Sequence, residues 1–135
     1  MNKISDKDRP TILCVDDSSF NLDIFKEYLG TDYLVHTVET GLECLDFVKS
    51  NPHPEFILMD IVMPDMDGIE ACKRIKKNKL LADIPIIIAT ASPSQENIDK
   101  ARKAGADGFL AKPFEEEQLL KVLNKIKQKK SKSGD

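Results

Sequence analysis

No apolar run in this chain is long enough to cross a bilayer. The densest, Ile84 to Ala91, spans eight residues and is interrupted by Pro85, against the roughly 20 that a membrane helix needs. Cysteine is scarce. Cys14, Cys44 and Cys72 form neither an even set nor a CxxC pair, so a disulfide framework is excluded and three small buried hydrophobes in a reducing compartment are expected. Histidine is scarcer still: His36 and His53 have no partner at ligand spacing, and a zinc site is not supported. The glycine-rich phosphate loop of nucleotide-binding modules is missing after the first apolar run. Residues 1–10 are charged and polar without the apolar stretch of a signal peptide, so a cytoplasmic location is expected.

What is present describes an ordinary globular domain. The chain has 135 residues, 41% apolar and 32% charged, which excludes intrinsic disorder and collagen and suffices for one domain with a real core. Its net charge of −3 is unevenly spread. Residues 121–135 carry six lysines against one aspartate, leaving 14 basic and 22 acidic residues in 1–120. A basic end can bind nucleic acid or membrane, but this one lacks arginine and aromatics. Its lysines lie near a helix C-terminus, where the helix dipole favours cations, so a solvated helix end is expected and no nucleic-acid or membrane partner for this chain alone.

Short apolar, β-branched runs at Thr11–Val15, Leu34–Val38, Phe56–Met59, Ile84–Ala89 and Gly108–Ala111 alternate with helical patterns. The first helix carries Phe20, Ile24, Phe25, Tyr28 and Leu29, the second Leu42, Leu45 and Val48, the third Ile69, Cys72 and Ile75. The last carries Leu119, Val122, Leu123 and Ile126, while the fourth is thin, with Ile98, Ala101 and Ala104. Capping boxes fit at Thr40/Glu43, Asp67/Glu70 and Ser92/Gln95, the last with Pro93 at the first helical position. Gly30 and Gly105 follow two helices as C-terminal stops. Five strands alternating with five helices predict right-handed crossovers and a doubly wound α/β domain with a five-stranded parallel sheet covered on both faces. A flexible arm at 1–10, a domain at 11–128 and a basic flexible tail at 129–135 complete the expected organisation.

In such a sheet, ligands bind beyond the carboxyl ends of the strands. There the first strand delivers Asp16 and Asp17, the third Asp60, the fourth Thr90 and the fifth Lys112. Each has an ordinary explanation alone: a helix start, a solvated loop acid, a cap, an exposed lysine. Together they are harder to dismiss, because a pair of carboxylates about 4 Å apart costs on the order of 4 kcal/mol at an effective dielectric near 20. A bound cation relieves such a cluster, and all-oxygen ligands select Mg²⁺ or Mn²⁺. A hydroxyl and an ammonium facing it suit an anionic oxygen group, which suggests phosphoryl transfer to an aspartate.

The segments ILCVDDSSFN, ILMDIVMPDMDGIEACKRIK, IIIATAS and GADGFLAKPF carry a resemblance to the response-regulator receiver domain of two-component signalling, over roughly residues 10 to 128. The resemblance implies a flavodoxin-like (βα)5 fold with strand order 2-1-3-4-5. It implies that Asp60 accepts a phosphoryl group from a phosphohistidine on a histidine kinase or histidine phosphotransfer protein. Asp17, Asp60 and the backbone carbonyl of Val62 would ligate Mg²⁺ directly, with Asp16 orienting a metal-bound water. Thr90 and Lys112 would hold phosphoryl oxygens, Phe109 would be the switch aromatic, and Lys112–Pro113 would be cis. Pro64, Asp67 and Gly68 are read as ordinary turn chemistry.

The function so implied is a phosphorylation-activated switch, not a turnover enzyme, catalysing only its own phosphorylation and slow dephosphorylation. A downstream protein would bind the face made by the fourth helix, fifth strand and fifth helix, with the domain a monomer or a phosphorylation-dependent dimer. Nothing resembling a second domain follows Gln128, so a stand-alone receiver is expected. Val62, two residues after Asp60, brings no polar group to an attacking water, so slow hydrolysis is expected. Two alternatives stand beside this. An aspartyl-phosphate phosphohydrolase would show DxDx[ST] after its first strand, where this chain has Asp16-Asp17-Ser18-Ser19. An unphosphorylated scaffold of the same fold would usually lack part of the acidic set.

Overall fold

A computed structural model describes residues 9–50 and 52–133. The order is β1 (Thr11–Val15), α1 (Ser19–Leu29), β2 (Leu34–Val38), α2 (Gly41–Ser50), β3 (Phe56–Met59), α3 (Gly68–Lys77), β4 (Ile86–Thr90), α4 (Gln95–Lys103), β5 (Gly108–Ala111) and α5 (Glu116–Ser133). The strands form one parallel sheet, β2-β1-β3-β4-β5, the flavodoxin-like order. No helix among the described residues is long and apolar enough to cross a membrane.

Successive strand side chains point to opposite faces, and here both faces are covered. Leu13, Val15, Ile57, Met59, Ile86 and Ile88 pack with residues of α2, α3 and α4. Ile12, Cys14, Phe56, Leu58, Ile87 and Ala89 pack with residues of α1 and α5. The near-continuous apolar strands follow from this double burial. All three cysteines are free and buried, and burial pushes each thiol up to about 12.

Several helical expectations are corrected. Phe20 is 72% exposed and Leu42 is 45% exposed. The buried stripe of α1 is Leu22, Phe25 and Leu29. At about 100° per residue, Phe20 lies on the far side of the helix from Leu22. In α2 the stripe is Gly41, Cys44, Leu45 and Val48, which turns Leu42 outward for the same reason. The cap of α4 is Ser94, which accepts from the Asn97 N–H at 3.1 Å, not Ser92, so Pro93 precedes the helix. Strand β4 begins at Ile86 rather than Ile84, since Pro85 has no N–H for the ladder.

Other local signals act as read. Thr40 accepts from the Glu43 N–H at 3.0 Å, and the Glu43 carboxylate accepts from the Glu39 N–H at 2.8 Å. Asp67 caps α3 by accepting from the Glu70 N–H at 2.8 Å. Gly105 ends α4 with φ +100°, a conformation that favours glycine. The last helix continues through Ser133, past the boundary expected at residue 128. Most of the expected arm, residues 1–8, lies outside the described residues, as do 134 and 135.

Candidate functional site

Five of the sequence-predicted residues come from the carboxyl ends of four strands. Asp16 follows β1 and is 1% exposed. Its Oδ1 accepts from the Ser18 N–H at 2.9 Å and its Oδ2 from the Asn21 amide at 3.2 Å. These bonds tie the carboxylate to the first turn of α1, whose N-cap is Ser18. Asp17, next in the chain, is exposed. Asp60 follows β3; its N–H donates to Val15 O at 3.0 Å, which extends the β1–β3 ladder into the site. Its own Oδ1 accepts from the Ile61 N–H at 2.8 Å.

Lys112 reaches this group from the end of β5. Its N–H donates to Thr90 O at 2.8 Å, and the Lys112–Pro113 peptide is cis. The ammonium lies 2.5 Å from Asp16 Oδ2 and 3.3 Å from Asp60 Oδ2, with its side chain 12% exposed. Part of the repulsion expected among the strand-end acids is thus offset, because a cation lies between two of the three. Burial is the leading cause that raises the Asp60 carboxyl above its ordinary range; Lys112 opposes it, Asp16 adds to it, and the Ile61 N–H bond opposes it.

Thr90 ends β4 and is 1% exposed; its hydroxyl oxygen accepts from the Ser92 N–H at 3.1 Å. A hydroxyl has one hydrogen to donate, and among the described residues that of Thr90 has no acceptor. Phe109, on β5 opposite Ile88, is half-buried against the α2–α3–α4 side of the core. Val62 is 67% exposed.

Two contributors escape the sequence reading. Asn21 donates to Asp16, and only the turn of α1 after Ser18 reveals that a residue five positions on faces back to the acid. Gly68 is more than turn chemistry: a Cβ there would lie 1.9 Å from Asp60 O and 3.1 Å from Met59 Cγ. Only glycine lets α3 start this close to the Asp60 backbone.

One carboxylate oxygen from each of Asp16, Asp17 and Asp60 can be chosen so that all lie within 4.8 Å of one another. Two of the three, Asp16 and Asp60, contact the Lys112 ammonium, and the donors are all oxygen. Such a set fits a hard divalent cation like Mg²⁺.

Comparison with known proteins agrees with this geometry. The profile of the response regulator receiver domain matches residues 12–124. The chemotaxis protein CheY of Halobacterium salinarum is 36% identical over 116 residues, 85% of this chain and 94% of that protein. The structure of a CheY-like receiver domain protein from Methanospirillum hungatei superposes with a TM-score of 0.84 at 30% identity, covering 93% of this chain and 98% of that one. That of the Mn²⁺-bound form of the response regulator Rcp1 does so at 0.74 and 27%, covering 87% and 91%. The chain belongs to the response-regulator receiver domains of two-component signalling.

Proposed function

We propose that this domain, over residues 11–128, is a phosphorylation-activated switch in which Asp60 accepts a phosphoryl group. A carboxylate oxygen of Asp60 attacks the phosphorus of a phosphohistidine on a histidine kinase or phosphotransfer protein. The P–O bond forms as the P–N bond breaks, and the imidazole leaves and takes up a proton. Asp16, Asp17, Asp60 and the Val62 carbonyl are the residues that would hold Mg²⁺ or Mn²⁺, and the Mn²⁺-bound form of Rcp1 supports that part of the reading. When bound, the cation supplies charge neutralisation at the phosphoryl oxygens.

The chain's own groups do the rest. Lys112 exchanges its carboxylate contacts for a phosphoryl oxygen. Thr90 donates its uncommitted hydroxyl hydrogen to another, and Phe109 follows it inward. The α4-β5-α5 face is thereby remodelled for a downstream protein, in a monomer or a phosphorylation-dependent dimer. The domain catalyses only its own phosphorylation and slow dephosphorylation; the exposed, apolar Val62 offers an attacking water no hydrogen bond.

The observation that carries this reading is the Lys112 ammonium between Asp16 and Asp60 beside the third, exposed carboxylate of Asp17. Incubation with a small acyl phosphate and Mg²⁺, followed by intact-mass measurement, tests it. Wild type should gain one phosphoryl group, and Asp60→Asn, isosteric but a poor nucleophile, should gain none while melting as a folded domain. An adduct of equal yield in the variant would remove Asp60 from its role.

A further inference from the structure

Three donors of different kinds hold the buried Asp16 carboxylate. Oδ1 accepts from the Ser18 N–H at 2.9 Å, while Oδ2 accepts from both the Lys112 ammonium and the Asn21 side-chain amide, the latter at 3.2 Å. A carboxylate offers about four lone-pair sites, so Oδ2 is filled. Under the proposed function Lys112 leaves Asp16 for a phosphoryl oxygen. The donors that stay are then one backbone N–H and Asn21, the only neutral side chain among the described residues that donates to this acid.

The place of Asn21 in its helix separates this contact from an ordinary structural one. Ser18 caps α1, so Asn21 is the third helical residue, and its N–H donates to Ser18 Oγ at 3.3 Å. That bond belongs to the backbone, and any residue but proline supplies it. Asparagine is a poorer helix former than alanine. The first turn of α1 holds no acidic residue, so an aspartate at 21 would suit the helix dipole better than the amide does. Local helix energetics thus favour replacing Asn21. What its amide supplies, and neither replacement can, is a neutral donor to an acid that is 1% exposed.

Neutrality decides the effect. A buried carboxylate oxygen that loses one donor is left with a desolvation penalty, and the remaining partner of Oδ2 is a cation. Closer pairing with Lys112 would relieve that penalty, and the ammonium would then compete with a metal ion for the same acid. The amide satisfies the oxygen without adding a competing charge. We infer that Asn21 is a positioning residue for the cation site: it fixes the Asp16 carboxylate against capture by Lys112 and keeps that acid available to the cation shared with Asp17 and Asp60. This rests on the proposed function for the identity of the cation as Mg²⁺ or Mn²⁺, and adds a residue that sets its affinity.

Thermal melts across a Mg²⁺ titration without phosphodonor test this on wild type, Asn21→Ala and Asn21→Asp, since the ligand dependence of the melt yields a dissociation constant. Asn21→Ala should bind Mg²⁺ about tenfold more weakly, as loss of a partner that orients a ligand does. Asn21→Asp, isosteric but without a donor, should melt below wild type in EDTA despite the helix dipole. Labelling by acyl phosphate, followed separately by intact mass, should be slow in Asn21→Ala at low Mg²⁺ and return to the wild-type rate at saturation. An unchanged Mg²⁺ dissociation constant in Asn21→Ala, or an Asn21→Asp melt at or above wild type in EDTA, overturns the inference. So does a wild-type melt indifferent to Mg²⁺. If wild type gains the phosphoryl adduct while Asn21→Ala keeps its Mg²⁺ affinity, the inference alone falls. If wild type gains no adduct while the affinity drops tenfold in the variant, the inference holds and the proposed function falls.

Discussion

A lysine and its aspartates stand at each edge of the same sheet, and the two groups differ in how far they are satisfied. At the amino edge, Lys76 donates to Ala82 O at 3.0 Å, Ile84 O at 2.8 Å and Asp107 Oδ2 at 2.9 Å. That uses all three ammonium hydrogens, and the same Asp107 oxygen also accepts from the Ile86 N–H at 2.9 Å. One cation meets one anion, and the remaining donors close on backbone. At the carboxyl edge, Lys112 meets Asp16 and Asp60 while Asp17 stays exposed beside them. One cation meets two anions, and a third carboxylate stands beside them. The balanced group clamps the end of α3 to the starts of β4 and β5; the unbalanced one has binding capacity left over.

Removing the balanced clamp should cost most. Lys76→Met leaves two carbonyls without their side-chain donor and the Asp107 carboxylate without its cation, holding only the Ile86 N–H. Discounted for the partial exposure of Asp107, the expected loss is about 2 kcal/mol, or roughly 6 to 8 °C in melting temperature. Excess Mg²⁺ should not restore it, and acyl-phosphate labelling of Asp60 should persist. A melt within about 1 °C of wild type would show that the clamp contributes nothing.

Lys112→Met tests the other edge. The Asp16 carboxylate is almost fully buried and keeps only its Ser18 and Asn21 bonds. A loss of about 1 to 1.5 kcal/mol in EDTA, roughly 3 to 6 °C, is expected. Here Mg²⁺ should recover much of it, because a cation replaces a cation. Equal losses with EDTA and with Mg²⁺ would erase the distinction between the two edges.

The smallest change sharpens the comparison. Asp17→Asn removes the carboxylate left over at the site, and melting in EDTA should rise by only about 1 to 2 °C, since the group is exposed and screened. Wild type should gain roughly 1.4 kcal/mol at Mg²⁺ tenfold above its dissociation constant, and the variant much less. A variant that melts lower in EDTA and keeps the full Mg²⁺ response would show that the three acids do not act as one cation site.

The clamp at the amino edge was invisible in the sequence, whereas the acids at the carboxyl edge were conspicuous. Asp16, Asp17 and Asp60 directly follow apolar strands, and any parallel sheet brings such positions to one edge. Lys76 sits among other basic residues at the end of α3, where the helix dipole already explains a cation. Its bonds to Ala82, Ile84 and Asp107 depend on the path of two loops. Phe20 and Leu42 were legible as apolar but not as exposed, because helical periodicity allows more than one stripe and only the sheet decides which is buried.

By itself, then, the sequence determined the alternation of strands and helices, two of the three expected caps, and which polar residues end the strands. These depend on backbone preference and periodicity over a few residues. Tertiary structure alone decided the rest. It set the Lys112 ammonium between Asp16 and Asp60, raised the Asp60 carboxyl by burial, and required glycine at 68 against the Asp60 carbonyl. Each of these depends on distance through space between segments far apart in the chain, because Coulomb energy, desolvation and steric fit answer to that distance and not to separation along the sequence.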